Sequence, residues 1–261
     1  MALSFTALLL AALVAPQESG SARWGINKGV EYCSLIRRAD RGDYSSLLVR
    51  KVPGAGLELW LTDTGRAPFF APGQPISLLL QPGNVRRELP TLLRRLDDGR
   101  ALIAHSPPEF LDQLAGAEAV SFSRSGKVLF EARLSGTAKA VASLRNCEQT
   151  KLREWGVDAS LALSRPAVAK ANLGALVSDS DYPSEALADG KGGQVTARLD
   201  IDVCGAVTGC AAVASGGHPA LDQRTCKVLS ERARFEPALD LKGAPAASSI
   251  IVRITWLLPA S

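Results

Sequence analysis

The clearest alternation of apolar and polar residues lies in the last third of the chain. From Val195 to Val203 the odd positions are apolar and the even positions are polar or charged, which is the pattern of a β-strand with one buried face. Cys204 and Gly205 interrupt this alternation, and the apolar run Val207–Val213 follows. The two runs therefore predict a β-hairpin.

Elements on either side of the hairpin complete the pattern. After His218 and Pro219, five positions recur at the spacing of one helix face. The helix that they predict must end before Pro237, because proline cannot continue a helix. Ser248–Leu258 predicts a last, strongly apolar strand, and Ser184–Asp189 predicts a short helix before the hairpin. The predicted order is helix, strand, strand, helix, strand. The positions that set the helical spacing are Leu221, Thr225, Val228, Leu229 and Arg232.

Residues 23–157 carry shorter patterns, which predict a mainly β domain. The last two strands are joined by a tight turn, Ser123–Gly126, whose glycine can adopt a positive φ. A helical turn, Glu109–Leu114, precedes them, and a longer helix over Thr137–Trp155 closes the domain, with Gly156 as its C-cap. The predicted strands are Leu57–Leu61, Ile76–Leu80, Ala101–Ala104, Val120–Phe122 and Lys127–Leu134.

The predicted fold class is therefore α+β, with two domains. A mainly β domain closed by one helix covers residues 23–157, and an Ala- and Ser-rich linker covers 158–176. The second domain, residues 177–261, combines a three-stranded antiparallel sheet with two helices.

The amino terminus predicts export. Leu3–Val14 is an uncharged apolar run followed by small and polar residues up to Ala22. The run is too short to span a bilayer comfortably, and it suits the apolar region of a secretory signal peptide over residues 1–22. The rival interpretation, an uncleaved membrane anchor through residues 3–14, is not favoured, because a spanning helix needs about 20 apolar residues. The predicted location is the periplasm.

Several short motifs of the last third occur in the order of a known family. The motifs are Tyr182-Pro183 before a short helix, Gly192-Gly193-Gln194-Val195 entering a strand, Val213-Ala214-Ser215-Gly216-Gly217, Leu221-Asp222, the run Ala233–Ala238, and a final strand that ends in Trp256-Leu257-Leu258-Pro259. Together they resemble the TonB C-terminal domain. Within the preceding domain, the ending Gly136–Cys147 resembles secreted invasion-associated-type domains of alphaproteobacteria.

The resemblance implies a protein partner. TonB-type domains capture an extended segment of an outer-membrane receptor by adding it as a strand to an open sheet edge, where N–H and C=O groups are unpaired. A sure membrane anchor and the long Pro-rich arm of the energy transducer have no counterpart here, which puts energy coupling in doubt and leaves peptide binding open. A role in transport across the envelope is the function that such binding would serve. The expected partner is a cell-envelope protein such as a TonB-dependent outer-membrane receptor, with homodimer formation left open. The partner-binding residues that this implies are Tyr182, Pro183, Ile250, Ile251, Val252, Arg253, Ile254, Thr255, Trp256 and Leu257.

The five cysteines acquire a context from export, since cysteines in an oxidising compartment are commonly bridged. Cys210 follows the hairpin turn and Cys226 lies in the next helix, so a disulfide would fix that helix to its sheet, as the resemblance also suggests. Cys33 and Cys147 flank most of the first domain and would close it. Cys204 is left as a free thiol.

A zinc site is the alternative for part of this set. Cys204, Cys210, His218 and Cys226 have the ligand types of a zinc site, but their spacing lacks the short Cys-x-x-Cys knuckles of such sites. The disulfide interpretation is favoured, and no metal and no other cofactor is expected.

Charge and chemistry narrow the function further. Residues 23–157 carry 20 Lys and Arg against 14 Asp and Glu, whereas residues 158–261 carry 10 against 11. The first domain is therefore basic, which suggests contact with an anionic envelope surface. Aromatic residues make up only 5% of the chain, which argues against a stacking surface for nucleic acid.

No nucleophile elbow or P-loop occurs, so no enzyme is expected. The alternative function is a disulfide-stabilised structural or envelope-adhering protein.

Overall fold

The computed structural model describes residues 23–29, 31–53, 56–63, 74–96, 99–107, 109–158 and 160–258. The expected signal peptide, residues 1–22, lies outside the described residues. Within these ranges, no helix combines the length and the apolar character needed to cross a membrane.

The first part of the chain is built from ten described strands and two helices. In chain order they are β1 (Gly25–Lys28), β2 (Cys33–Arg38), β3 (Ser46–Val52), β4 (Gly56–Asp63), β5 (Ile76–Gln81), β6 (Val85–Leu89), β7 (Thr91–Leu96), β8 (Gly99–Ser106), α1 (Phe110–Ala115), β9 (Ala119–Arg124), β10 (Lys127–Arg133) and α2 (Thr137–Glu154). All paired strands are antiparallel.

These strands form two sheets around one core. The six-stranded sheet has the order β1-β2-β3-β4-β8-β7, and the four-stranded sheet has the order β10-β9-β5-β6. Inward side chains of both sheets pack together in this core, as Leu59, Leu78 and Phe122 do. Val141 and Leu144 of α2 join the same core. The Cys33–Cys147 disulfide ties β2 to α2, so the predicted closure of this domain by a helix and a disulfide is confirmed.

The second part of the chain contains eight described strands, two 3₁₀ turns and two α-helices. They are β11 (Leu163–Arg165), β12 (Val168–Ala169), the turns Leu173–Leu176 and Asp179–Asp181, α3 (Ser184–Ala188), β13 (Gly193–Ile201), β14 (Val207–Ala214), α4 (Pro219–Arg232), β15 (Phe235–Glu236), β16 (Ala238–Asp240), β17 (Pro245–Ala246) and β18 (Ser248–Trp256). The main sheet has the order β14-β13-β18 and is antiparallel. The predicted three-stranded sheet with two helices is confirmed.

The local causes of these elements are the ones that the sequence indicated. The His218 ring accepts a hydrogen bond at Nδ1 from the amide of Ala220, 3.2 Å away, and Pro219 occupies the first helical position, so α4 begins there. The Cys210–Cys226 disulfide joins β14 to α4, as predicted. Cys204 is a free, exposed thiol in the turn after β13.

The segment expected to be a linker is not a free connection. Strand β11 pairs with β16, and β12 pairs with β15. Leu173 and Leu176, in the first 3₁₀ turn, pack against the core of the second part. Residues 163–176 therefore pack as part of the C-terminal domain, although their composition resembles that of a linker.

Candidate partner-binding edge

Strand β18 forms one edge of the C-terminal sheet. Nine residue pairs, from Gly193–Trp256 to Ile201–Ser248, join it to β13 without a register shift. Among the described residues, no other strand pairs with β18. Its outer side therefore carries backbone donors and acceptors that no described strand uses.

The hairpin at the other end of β13 indicates which groups of β18 point outward. The amide of Asp202 donates to the carbonyl of Ala206 across this hairpin, at 3.0 Å. Bonding direction alternates along an antiparallel ladder, so the even residues of β13 bond toward β14 and the odd ones toward β18. The odd residues of β13 face the even residues of β18. The N–H and C=O groups that point away from the sheet therefore belong to the odd residues of β18: Ser249, Ile251, Arg253 and Thr255.

The even side chains of β18 pack against the helices. Ile250, Val252, Ile254 and Trp256 all join the core of the second part, Ile250 as a half-buried member. The indole Nε1 of Trp256 donates to the hydroxyl of Thr225 on α4, 2.9 Å away. These contacts fix the strand from its helix side and leave the edge itself unobstructed by its own side chains.

The odd side chains of β18 lie on the opposite face, and part of that face is covered. Ile251 is buried, and the Arg253 side chain is only 12% exposed. Arg253 and its cross-strand neighbour Thr196 both donate to Oε2 of Glu31, each at 3.0 Å. Glu31 belongs to the first part of the chain, so the first part covers this face of the sheet.

A second contact between the two parts lies further along the same face. Arg198 donates through Nη1 to the carbonyl of Trp155 just beyond α2, at 3.2 Å. Thr255 and Leu257, by contrast, remain exposed at the other end of β18. The coverage thus stops short of the last residues of the strand.

Tyr182 packs against the last residue of the edge strand, and Pro183 follows it in the chain. The Tyr182 ring meets Trp256 edge-to-face with ring centroids 5.4 Å apart, and its hydroxyl donates to the carbonyl of Lys191 at 2.6 Å. Pro183 is the residue before α3. Tyr182 therefore supports the end of β18 through its ring contact with Trp256.

A buried carboxylate, Asp181, holds this neighbourhood together. It accepts from Arg232 through two bonds of 2.7 and 2.8 Å and from Arg224 at 2.6 Å. The amide and hydroxyl of Ser178 also donate to it. The hydrogen bonds from Arg232 contribute most to lowering the pKa of the Asp181 carboxyl, and those from Ser178 and Arg224 act in the same direction, against the opposing effect of burial.

Sequence reasoning did not indicate Asp181 or its two arginine partners. It also gave no role to Glu31. Both contacts join residues that are far apart in the chain, and no local spacing indicates such pairs. Their only visible signal is the presence of charged residues beside apolar runs.

The four candidate zinc ligands do not form one site. Cys210 and Cys226 are joined to each other, His218 caps α4, and Cys204 is exposed. In the part of the chain that the structure describes, no three His, Cys, Asp or Glu side chains converge to hold a metal ion.

Comparison with known proteins identifies the second part of the chain. Residues 178–258 match the family described as Gram-negative bacterial TonB protein C-terminal, which confirms the resemblance that the motifs indicated. The match includes α3, α4 and the three strands of the C-terminal sheet. Domains of this family are non-enzymatic and interact with proteins of the cell envelope. Searches of curated proteins and of solved structures found no match to the chain.

Proposed function

We propose that this protein, whose residues 178–258 form a TonB C-terminal domain, binds an extended segment of an envelope protein by adding it as a strand to β18. The observation that carries the proposal is the row of outward N–H and C=O groups on alternate residues of an unshifted, nine-residue edge strand. A segment of an outer-membrane receptor is the partner that the family suggests.

The two edges of the sheet are not equivalent as templates. The pairing of β14 with β13 shifts register twice, between Thr196 and Ala197 and between Asp200 and Ile201. Such shifts twist an edge and interrupt its row of donors. Strand β14 is also tied to α4 through Cys210. The regular edge, β18, is therefore the one that we assign to the partner.

Main-chain bonds supply most of the binding in this mechanism, at about 0.5–1.5 kcal/mol net for each bond. The side chains of β18 contribute less, since those of its even residues are already packed in the core. The residues that we assign to the interface are Ile250, Ile251, Val252, Arg253, Ile254, Thr255, Trp256 and Leu257, with Tyr182 and Pro183 supporting the end of the strand.

The proposed location is the periplasm, after cleavage of a signal peptide within residues 1–22. Two disulfides in one chain favour an oxidising compartment. The basic first domain is assigned to an anionic envelope surface, and no enzymatic activity is proposed. Energy transduction is not part of the proposal, because strand capture requires only the edge.

Proline substitution at the edge is the decisive test. Thr255→Pro removes an outward N–H and should leave the domain folded while it abolishes binding of periplasm-facing receptor peptides. Ile254→Pro removes an N–H that bonds to β13 and should unfold the sheet. Thr255→Ala is the control for loss of the side chain alone, and it should bind normally.

The measurement is the shift of backbone amide signals on titration with each peptide. In the wild-type protein, the largest shifts should fall on odd residues of β18. Peptide binding by folded Thr255→Pro at wild-type strength would exclude this edge. A concentration-dependent dimer that Thr255→Pro dissolves would instead assign the edge to a second copy of the chain.

A further inference from the structure

A cleft lined with arginines lies between the two parts of the chain, next to β18. It has a volume of about 1070 Å³. Its first wall is the outer face of the six-stranded sheet, where Trp60 and Ile103 form a small apolar cluster. Its second wall includes Gln194 of β13 and Arg253 of β18. We call it the arginine cleft, after the four arginines that line it: Arg50, Arg94, Arg95 and Arg253.

Positive charge exceeds negative charge in this cleft. The described lining contains four arginines but only two acidic residues, Glu31 and Glu58. Glu31 is held by Arg253, and Oε2 of Glu58 accepts from the Trp60 indole at 2.8 Å while lying 3.8 Å from Arg50. No described carboxylate lies within ion-pair distance of Arg94 or Arg95, so the described lining of the cleft has a surplus of positive charge.

Stacking contacts orient Arg50 for an oxyanion. The Arg50 guanidinium lies 3.8 Å from the centre of the Tyr32 ring and 5.1 Å from that of Trp60. Stacking holds the flat face of a guanidinium and leaves its N–H edge available for a planar, two-point acceptor. The Nε atoms of Arg50 and Arg253 are buried without a hydrogen-bond partner among the described residues.

Burial and neighbouring charges also act on Arg50. Burial lowers the pKa of the Arg50 guanidinium, and the charges of Arg253 and Arg94 act in the same direction, against the opposing charge of Glu58. An anionic group between these side chains would offset the repulsion that Arg253 and Arg94 exert on Arg50.

Arg253 connects the cleft to the edge strand. A residue of an added strand that lies opposite Arg253 would place its Cβ about 5 Å from that of Arg253, on the same face of the sheet. That face is turned toward the arginine cleft. We propose that the captured strand carries acidic side chains at alternate positions and that these enter the arginine cleft. This inference rests on the proposed strand addition and specifies the chemistry of the partner.

Two designed peptides test this selectivity. Both are blocked ten-residue peptides, one alternating Thr with Glu and the other alternating Thr with Gln, so that they differ only in charge. The full chain should bind the Glu peptide about tenfold more tightly than the Gln peptide at low salt, and raising the salt concentration should reduce this ratio. Binding is measured by calorimetry and by amide shifts in β18.

Two double variants locate the effect. Arg94→Gln/Arg95→Gln should bring the Glu-to-Gln ratio close to one while leaving the binding of the Gln peptide unchanged. Arg86→Gln/Arg87→Gln, which removes the same charge from β6, should keep the tenfold ratio.

The outcomes separate the two proposals. Equal binding of both peptides by the wild-type chain would overturn the acidic preference and leave strand addition standing. Binding of the Glu peptide that survives Thr255→Pro but is lost in Arg94→Gln/Arg95→Gln would overturn strand addition and assign the cleft to acidic peptides on its own. An unchanged ratio in Arg94→Gln/Arg95→Gln would remove the arginine cleft from the mechanism.

Discussion

Asp181 and Arg232 are joined by two parallel hydrogen bonds, from Nη1 to Oδ2 and from Nη2 to Oδ1, of 2.7 and 2.8 Å. The carboxylate is almost fully buried, whereas the Arg232 side chain is 42% exposed. The pair fixes the second 3₁₀ turn to the end of α4, and through Tyr182 it supports the tip of β18.

The first prediction concerns the loss of this carboxylate charge. Asp181→Asn leaves the guanidinium groups of Arg224 and Arg232 without their anionic partner, and we expect it to destabilise the protein by about 3 kcal/mol. Chemical denaturation measures the loss. Asp179→Asn, on the same turn, is the control and should change stability by less than about 0.5 kcal/mol.

The same carboxylate predicts a pH dependence. The folded-state pKa of Asp181 is held below its unfolded value by the bonds from Arg232, Ser178 and Arg224. Its contribution to stability is therefore complete above pH ~4 and is lost as the pH falls toward the lowered pKa. Denaturation midpoints of the wild type and Asp181→Asn should converge on acidification. Midpoints that stay equally far apart at all pH values would contradict this role.

A second titration lies at the alkaline end. The side chain of Tyr44 is buried in the first core, and this burial, with the nearby charge of Asp63, raises its pKa from 10.0 to about 12. The stabilisation is therefore complete below pH ~10 and is lost as the pH rises through the folded pKa. Ultraviolet titration should show a late tyrosine ionisation that is absent in Tyr44→Phe.

Gly205 lies in the turn after β13, where the structure leaves no room for a side chain, so its substitution should lower the stability of the protein. Gly205 has a φ of +81°, and a Cβ placed there would lie 2.0 Å from the carbonyl oxygen of Phe235. Gly205→Ala therefore combines an unfavourable φ with a collision against backbone, and we expect a loss of about 3 kcal/mol. Gly217, with a φ of +90° and no atom within 4 Å, is the matched control. Gly217→Ala should cost about 1 kcal/mol.

The disulfides give the last prediction. Replacing both Cys210 and Cys226 with Ala opens a loop of 16 residues, which should lower the free energy of unfolding by about 3 kcal/mol.

A thiol reagent should label the native protein once, at Cys204. The substitution Cys204→Ser should abolish this labelling without changing the melting temperature. Labelling of two or more thiols in the native protein would contradict the pairing.

The C-terminal domain could be predicted from sequence because its strands and helices alternate strongly and are bounded by clear breakers such as Pro219 and Gly205. The predicted strand Val195–Val203 is observed as β13, which ends at Ile201 where the turn begins. Five strands of the first domain, β1, β2, β3, β6 and β7, were not predicted. In β2 and β3 buried residues occur at adjacent or irregular positions, so the period-2 signal is weak.

The candidate edge could be predicted as a strand, but its surroundings could not. On the odd face of β18, Ile251 is buried and Arg253 is paired with Glu31 of the first part. Which distant residue supplies the cover depends on how the two parts pack. The arginine cleft could not be predicted for the same reason, since its members come from seven separate segments of the chain.

The strands that precede the recognised family domain bear on what this domain needs in order to fold. Family recognition begins at residue 178, yet the amide of Lys170 donates to the carbonyl of Arg234, and Arg232 donates to that of Leu176. A fragment cut at the recognised boundary would lose β11 and β12, expose apolar surface and leave these groups unpaired. The limits of an evolutionary module and those of a cooperative folding unit thus differ here by about fifteen residues, since β11 begins at Leu163. We therefore expect a fragment that begins near Leu163 to be more stable than one that begins at residue 178.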